Sequence, residues 1–461
     1  MMRVLEFIVA LVIVAVLGVV VGVIMPGSGH VERSLVIGKD MRQVYDVLDN
    51  FRRFQDYSVL RTYDASLKYE FSGNAYGPGA ELSWSSSGSD SKVGAGKLTI
   101  ASAEPDFNKV DATARSARIV WNLDNDWRGR DKHFTFDLNR QGSRGQLTRV
   151  TWSYDVAYGF NLIDRYSNLY IHGDPDAFIQ FSLGNLQNVL ATVPNIDYTK
   201  LVPYIKQTTP TPVLLVSSSI NRKGGLAELD DATAVAEKQI QEAAKKLGVN
   251  VVGPRTIFTT SYGDQTYTFD VAMPIDATSL TVAGQSQELT AAQPPQLDTS
   301  EPAEDSSTAA ANAAPVTPGD RDRFGRLIVD NNVRATLAFG GAALMAPWSG
   351  TAAGVPQTRD MLKAYAQTHG YKFDEVVNRL YDIQVQPEVK DAGGNVTTYA
   401  RFDVYLPVTD APEQTPEQIA GIPQPTLDVA PAESTSAPAA AGTAAAPASA
   451  ATAPAGASSA E

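Results

Sequence analysis

An uninterrupted apolar segment near the N-terminus constrains this chain more than any other feature of its sequence. Phe7–Met25 comprises 19 residues without a charged side chain. At 1.5 Å per residue, a helix of this length spans about 29 Å, which is close to the thickness of the hydrocarbon core of a bilayer. The segment therefore predicts a single transmembrane helix, taken as 5–25.

A cleaved signal peptide is the alternative interpretation of this segment. Its apolar core is longer than the 7–15 residues usual in signal peptides, and no A-x-A-like cleavage site follows. Arg3 and the N-terminal amine precede the segment, whereas His30, Glu32 and Arg33 follow it without an excess of positive charge. The positive-inside rule then predicts a single-pass protein of the inner membrane whose body is periplasmic.

The absence of cysteine excludes several kinds of site. A chain with no cysteine has no disulfide framework, no thiolate nucleophile, no iron–sulfur cluster and no cysteine-containing zinc site. The four histidines are scattered without ligand-like spacing, at His30, His133, His172 and His369. The counts therefore argue against a histidine-rich metal site and leave carboxylate sites open, and we assign no metal site and no cofactor.

The net charge of −13 comes from two segments. The stretches 276–320 and 410–461 contain seven and six acidic residues, respectively, and no Lys or Arg. Together they account for the whole net charge, so the rest of the chain is neutral. Because a neutral body without a basic face gains little from counterion release, nucleic acid is excluded as an expected partner.

The same two segments have the composition of disordered chain. Both are rich in Ala, Ser, Thr and Pro and poor in large apolar residues, so neither buries enough surface to offset the entropy of ordering. We therefore expect a disordered insert at 277–320 and a disordered tail at 409–461. Two folded regions remain, at 30–196 and at 200–408 less the insert.

The first folded region combines strand patterns with one long helix. Short runs of alternating apolar and polar residues, separated by Gly, Asn and Ser, predict an antiparallel meander. Trp152, Tyr154, Val156 and Tyr158 form the clearest of these alternating faces. After Asp174-Pro175, an apolar stripe with steps of four and three predicts a long helix, formed by Ile179, Leu183, Leu186, Leu190 and Val193.

Three local motifs carry a family resemblance in this region. They are the strand HVERSLVI at His30–Ile37, the aromatic turn NFRRFQDY at Asn50–Tyr57, and the Gly77-x-Gly79-Ala80 turn followed by Trp84. The region resembles the polyketide cyclase/START-like (SRPBCC) superfamily, although Phe54 replaces the usual Trp. The resemblance implies a helix-grip fold with a cavity between sheet and helix. The candidate lining residues are Trp84, Trp121, Phe136, Trp152, Tyr154 and Phe178, with plain core filling as the alternative.

The second folded region contains an internal repeat. The motif Phe269–Ile275 (FDVAMPI) recurs 133 residues later as Phe402–Val408 (FDVYLPV). Each copy predicts a strand, a helix and two strands. The predicted elements are 212–220, 229–247, 254–260 and 265–275 in the first copy, and 326–339, 356–369, 376–385 and 397–408 in the second.

A tandem βαββ repeat with this motif resembles the gyrase-inhibitor-like (GyrI-like) small-molecule-binding domain. In members thought to hydrolyse their ligands, a Glu precedes the aromatic residue of the penultimate strand. Here Arg379 stands in that place, two residues before Tyr381. An arginine remains protonated and is not a general base, so the resemblance favours binding over catalysis. Candidate pocket-lining residues are Phe258, Trp348 and Tyr381.

The sequence as a whole predicts an α+β fold: a transmembrane helix, a START-like helix-grip domain and a tandem βαββ domain. No G-x-S-x-G, P-loop or G-x-G-x-x-G motif is present, and no catalytic residue is assigned. The predicted function is binding of an apolar or amphipathic small molecule or lipid at the membrane. A cyclase-like or hydrolytic enzyme and a structural protein of the envelope are the alternatives.

Overall fold

The computed structural model describes residues 2–88, 93–199, 201, 203–263, 265–294, 317–409 and 411. The predicted tail lies outside these residues except for Thr409 and Ala411, as does the part of the insert at 295–316. The described chain has the predicted α+β fold, with an apolar N-terminal helix, a curled antiparallel sheet held by a long helix, and a second large sheet.

Helix α1 (Met2–Ile24) contains the predicted membrane segment. Its part Val4–Ile24, 21 residues long, is the one helix in the described chain that is long and apolar enough to cross a membrane. Nearly all of its side chains are exposed rather than packed against the rest of the protein. The sequence accounts for this helix directly, because Leu, Ile and Val dominate it and no proline interrupts it.

The first unit contains one sheet and five helices. Its elements are β1 (Ser28–Ile37), α2 (Met41–Leu48), α3 (Phe54–Tyr57), α4 (Leu60–Tyr63), β2 (Lys68–Gly73), β3 (Ala80–Ser85), β4 (Gly96–Glu104), β5 (Ser116–Asn125), β6 (Arg130–Gln141), β7 (Leu147–Ala157), α5 (Leu162–Tyr166) and α6 (Asp174–Ala191).

The sheet of this unit is an antiparallel meander closed by its first strand. The strand order is β1-β7-β6-β5-β4-β3-β2, so only β1 pairs out of sequence. Helix α6 packs against β1, β7 and α3, and its predicted stripe is buried. Pro175 lies in the first turn of α6, where a missing N–H costs nothing. The arrangement is the helix-grip fold that the family resemblance implied.

The second unit is larger and contains two long helices. Its elements are β8 (Tyr204–Thr208), β9 (Thr211–Asn221), α7 (Gly225–Leu247), β10 (Thr256–Tyr262), β11 (Thr266–Pro274), β12 (Ser279–Val282), β13 (Gln285–Glu288), β14 (Leu327–Ile328), β15 (Val333–Ala338), β16 (Gly341–Ser349), α8 (Val355–Thr368), β17 (Tyr381–Gln386), β18 (Val389–Lys390), β19 (Val396–Thr398) and β20 (Arg401–Pro407).

The register of the main sheet shows that it closes into a barrel. Strand β9 pairs with β15, and β8 pairs with β16, in one register that continues across the links Thr209–Pro210 and Phe339–Gly340. Thus β8–β9 and β15–β16 are two long bent strands paired with each other. The other edges of these two bent strands are joined through β11, β10, β17 and β20, in the order β9-β11-β10-β17-β20-β16. The two bent strands and these four strands therefore form a continuous ring of six.

The predicted repeat is present, with one difference. The two copies of the motif form β11 and β20, and β10 of the first copy pairs with β17 of the second at the centre. The strand predicted at 326–339 is shorter, however, and ends at Ala338. The strand equivalent to β9 is β16, because it pairs with β20 as β9 pairs with β11. The prediction therefore covered the first half of a bent strand that continues into Gly341–Ser349.

The beginning of the predicted disordered insert is ordered, which corrects the prediction for 277–320. Strands β12 and β13 form a hairpin whose two turn residues, Ala283 and Gly284, both have positive φ. Leu280, Val282 and Leu289 are buried in the core beneath α7. These apolar residues, together with hydrogen bonds from Arg321 to the Glu288 carbonyl and from Thr336 and Leu337 to the Thr290 carbonyl, hold the segment in place.

The two units share a buried polar contact. Arg42 of α2 pairs with Asp46 at 2.7 Å, and the Tyr198 hydroxyl donates to Asp46 at 2.9 Å. The same hydroxyl is 2.9 Å from Oγ1 of Thr368, at the end of α8. Apolar side chains of α8 belong to the same continuous core as the grip unit. The grip and the barrel are therefore joined through a desolvated interface between α2 and α8.

Candidate functional site

The nine candidate lining residues fall into three places. Six lie inside the grip unit: Trp84, Trp121, Phe136, Trp152, Tyr154 and Phe178. Phe258 and Tyr381 face the interior of the barrel. Trp348 lies near the end of β16, where its indole donates to the Thr351 carbonyl at 2.8 Å and packs against Gly354. The structure therefore places Trp348 away from the other two barrel residues.

The aromatic residues inside the grip unit pack against one another. The ring of Trp152 lies 4.6 Å from that of Phe136 and 5.6 Å from that of Phe178, and Trp121 lies 4.4 Å from Phe136. Trp84 packs against Gly96, where an added Cβ would lie 2.2 Å from the indole. All of these residues are buried. These rings pack against neighbouring side chains, as residues of a core do. Contact between these residues and a ligand remains a prediction.

Two indole groups in this interior have no hydrogen-bond acceptor among the described residues. They are Nε1 of Trp84 and Nε1 of Trp152, and both are buried. The indole of Trp121, in contrast, donates to the Leu48 carbonyl at 3.1 Å. Buried donors without partners are uncommon, because each loses its hydrogen bonds to water on folding. The grip interior is thus apolar and closely packed, with two unused donors.

The barrel interior contains an open pocket beside a row of aromatic rings. Phe258 of β10, Tyr381 of β17 and Tyr405 of β20 occupy adjacent strands. The ring centroids of Phe258 and Tyr381 are 5.2 Å apart, and those of Tyr381 and Tyr405 are stacked at 4.8 Å. The space beside this row has a volume of about 300 Å³. Val213, Ala338, Phe339 and Ile383 complete its apolar wall.

A lysine provides the charge at one side of this pocket. Nζ of Lys206, on β8, lies 3.0 Å from the Tyr405 hydroxyl. Burial lowers the pKa of Lys206 and its hydrogen bond to Tyr405 raises it, with a net upward shift. The group therefore remains an ammonium at neutral pH. Burial also raises the pKa of Tyr381, which stays a neutral phenol.

A second, smaller space of about 80 Å³ also borders Phe258. It shares Val213, Phe258, Ala338 and Phe339 with the larger pocket and adds Asp270, Phe324, Arg326 and Arg379. It therefore extends the pocket towards charged side chains.

The charged groups of the smaller space are already paired. Asp270 accepts a hydrogen bond from Ser217 at 2.6 Å and pairs with Arg326 at 3.2 Å. Arg379 is 3.8 Å from Asp270 and 3.1 Å from the Thr260 hydroxyl, and burial lowers its pKa. Arg379 is thus a cation beside a carboxylate that is already bonded.

Sequence reasoning missed several residues of this pocket. Asp270 and Tyr405 lie within the repeated motif, and the alternation along β11 and β20 would have placed both on the inner face. Lys206 and Phe339 gave no signal, because their position depends on the pairing of the two bent strands. Among the residues that the structure describes, no group of three or more His, Asp or Glu side chains is arranged to hold a metal ion.

No protein-family model matches this sequence, and no curated protein matches it. Solved structures similar to part of the chain include the protein XoxI from Bacillus cereus, a truncated norcoclaurine synthase from Thalictrum flavum and the major latex-like protein 151 from Panax ginseng. Their sequence identities are 14%, 12% and 15%, and their TM-scores are 0.25, 0.26 and 0.24. The matches cover 36%, 36% and 37% of this chain and 96%, 96% and 100% of those chains.

Proposed function

We propose that this protein is a binding protein for an apolar or amphipathic small molecule and that the barrel pocket is its binding site. The observation that carries the proposal is the open space of about 300 Å³ beside a row of three aromatic rings. Ligand pockets are typically apolar, with a few polar groups that orient the ligand, and range from about 300 to 1,000 Å³. This pocket is at the small end of the range, which favours a ligand smaller than a two-chain lipid.

The polar groups of the pocket favour an amphipathic ligand over a plain hydrocarbon. Lys206 lies at the larger pocket, and the Asp270–Arg379 pair lies at the smaller one. A ligand with an apolar body would occupy the aromatic wall and direct a polar group to one of these ends. The resemblance of the repeat to GyrI-like domains supports the same proposal.

Binding is favoured over catalysis because the carboxylate at the pocket is already engaged. Both oxygens of Asp270 have partners, namely the Ser217 hydroxyl and the Arg326 guanidinium. A general base must lie within hydrogen-bond reach of the proton that it abstracts, and these two donors already occupy hydrogen-bonding positions on the carboxylate. Hydrolysis of a bound ester that Asp270→Asn abolishes would favour the enzyme alternative.

We further propose that α1 anchors the protein in a membrane, with the body on the periplasmic side. Its length, apolar composition and exposed surface support the anchor, and the weak charge bias around it supports the orientation. Fusion of alkaline phosphatase after Glu461 should yield an active enzyme. Activity of a cytoplasm-only reporter at the same position would contradict the orientation.

Native mass spectrometry of the full chain, purified in a mild detergent, tests the pocket directly. Decanoate and decanol serve as probes, because each has an apolar chain and they differ in charge. Ala338 lines both spaces, so Ala338→Phe should fill the pocket and abolish saturable binding of the probes. Val235→Phe, on the exposed face of α7, is the matched control and should bind as the natural chain does. Equal binding by both variants would contradict a site in the barrel.

A further inference from the structure

The segment 160–170 of the grip unit packs directly against the apolar helix α1. The hydroxyl of Tyr166 donates to the carbonyl of Gly18. Arg165 donates to the carbonyls of Val23 at 2.9 Å and Met25 at 3.3 Å. An added Cβ on Gly22 would lie 3.2 Å from the ring of Tyr166, so the glycine allows this close approach. Helix α5 is therefore docked on the last two turns of α1.

The same segment exposes large apolar side chains that nothing in the described chain covers. The exposed fractions are 94% for Phe160, 65% for Ile163, 63% for Leu169 and 74% for Tyr170. These four residues lie within 11 positions of the sequence. Single exposed apolar residues are common on protein surfaces, but a concentration of this kind marks a contact surface.

The depth of the contact indicates what covers this surface. Gly18 precedes the end of α1 at Ile24 by six residues, which corresponds to about 9 Å along the helix axis. If α1 spans a bilayer, the side chain of Tyr166 reaches the same depth. Interfacial helices bury their apolar faces about 5–10 Å into the boundary between head groups and acyl chains, and Tyr is enriched there.

We propose that 160–170 is a second membrane-contacting element that lies in the interfacial layer beside α1. This inference rests on the proposed membrane anchor. Phe160, Ile163, Leu169 and Tyr170 contact the acyl chains near the head groups, while the guanidinium of Arg165 stays at the polar surface, as long cationic side chains do. The contact fixes the grip unit against the bilayer rather than leaving it on a free tether. Continuity with α1 favours lipid over a second protein as the partner.

Site-directed spin labelling tests this proposal cleanly, because the natural chain contains no cysteine. The full chain would carry one cysteine at a time and be reconstituted into phosphatidylcholine/phosphatidylglycerol vesicles. Leu169→Cys reports on the segment. Tyr399→Cys, at a position 61% exposed in the barrel unit, is the matched control. Val12→Cys, in the middle of α1, reports on the anchor itself.

The measurement is the accessibility of each label to oxygen, which concentrates in lipid, relative to a water-soluble nickel chelate. We expect a ratio at least threefold higher for Leu169→Cys than for Tyr399→Cys, and a still higher ratio for Val12→Cys. Equal ratios at 169 and 399 with a lipid-like ratio at 12 would overturn the inference and leave the anchor standing. A water-like ratio at position 12 would overturn both.

A second copy of the chain is the rival occupant of this surface. In that case the label at 169 would be shielded from both reagents, and its spectrum would show spin–spin broadening that dilution with unlabelled protein removes. That result would overturn the inference. Phe160→Cys provides a repeat of the measurement at the most exposed residue of the segment, in case labelling at 169 disturbs the fold.

Discussion

The interiors of the two units use the same kinds of side chain but differ in how completely they are filled. In the grip unit, Trp152 contacts the rings of Trp121, Phe134, Phe136 and Phe178. In the barrel, a row of three aromatic rings lines one wall and leaves a space of about 300 Å³ beside it. The aromatic content of a region therefore does not indicate by itself whether the region is core or pocket.

The difference follows from how each sheet is closed. In the grip unit, the ring of Phe178 on α6 lies 5.4 Å from that of Phe134 and 5.6 Å from that of Trp152, so the helix and the sheet are in contact. A ring of strands has a radius determined by its strand number and stagger, so small inward residues leave space that the backbone does not close. Ala272, Ala343 and Thr256 are such residues in the barrel.

The largest effect is expected from truncating the packed interior of the grip unit. Trp152→Ala should reduce the free energy of unfolding by about 3–5 kcal/mol, as is usual for large aromatic residues in a core. Chemical denaturation of the full chain in detergent gives this value, and decanoate binding should not change. A cost below about 2 kcal/mol, together with weaker decanoate binding, would mean that the grip unit is the ligand site.

The next largest effect concerns the outer face of the barrel, which α7 and the β12–β13 hairpin cover. Leu280 of the hairpin is buried in that layer, so Leu280→Ala should cost about 2–3 kcal/mol, in the lower part of the range for such truncations. The same denaturation experiment measures it. If Leu280→Ala leaves the free energy of unfolding unchanged, the hairpin does not stabilise the barrel, as expected for the disordered insert that the sequence predicted.

Truncating a side chain on the inner face of the barrel should reduce the stability less but weaken ligand binding more. Phe258 borders both spaces and has fewer protein neighbours than a core residue, so Phe258→Ala should cost less than about 2 kcal/mol. Decanoate should bind at least tenfold more weakly, as measured by titration in native mass spectrometry. Trp348→Ala serves as the control, since Trp348 lies outside the pocket. Unchanged binding in Phe258→Ala would remove the main support for the proposed site.

The smallest effect concerns a buried carboxyl group in the grip unit. Burial and the nearby Asp46 raise the pKa of Asp49 well above its ordinary value, and one of its oxygens has no partner. The neutral form therefore favours the fold, and this contribution is lost as the pH rises from the ordinary carboxyl pKa through the raised one. The free energy of unfolding of Asp49→Asn should therefore fall less between pH 4 and pH 7 than that of the natural chain. At pH 7 the variant should be the more stable of the two in the same denaturation experiment.

Asp382 in the second unit provides the opposite case for the same measurement. Its carboxylate forms a buried ion pair with Arg359 of α8. Asp382→Asn leaves the guanidinium buried without its charged partner, so the variant should be less stable than the natural chain at pH 7, whereas Asp49→Asn should be more stable. Equal behaviour of the two variants would mean that the two carboxyl groups do not differ in environment.

The elements with strong periodicity could be predicted, and the closure of the barrel could not. The buried stripe of α6 and the alternation along β7 both appear in the structure, because each repeats the period of its own secondary structure. The repeated motif likewise identified β11 and β20. Strand β16 was missed, since Gly341–Ala346 is rich in small residues and its strand conformation depends on pairing with β8 and β20.

The sequence by itself determined the apolar helix, the meander and long helix of the first unit, the repeat and the location of the net charge, because these are properties of local order and composition. The helix-grip arrangement of the first unit was implied by its family resemblance. Only the tertiary structure decided which aromatic residues touch each other and which face open space. Phe258 and Trp152 have similar sequence surroundings, yet one lines a pocket and the other fills a core. That distinction depends on the radius at which the backbone closes, which is a property of strand pairing between residues more than 100 positions apart.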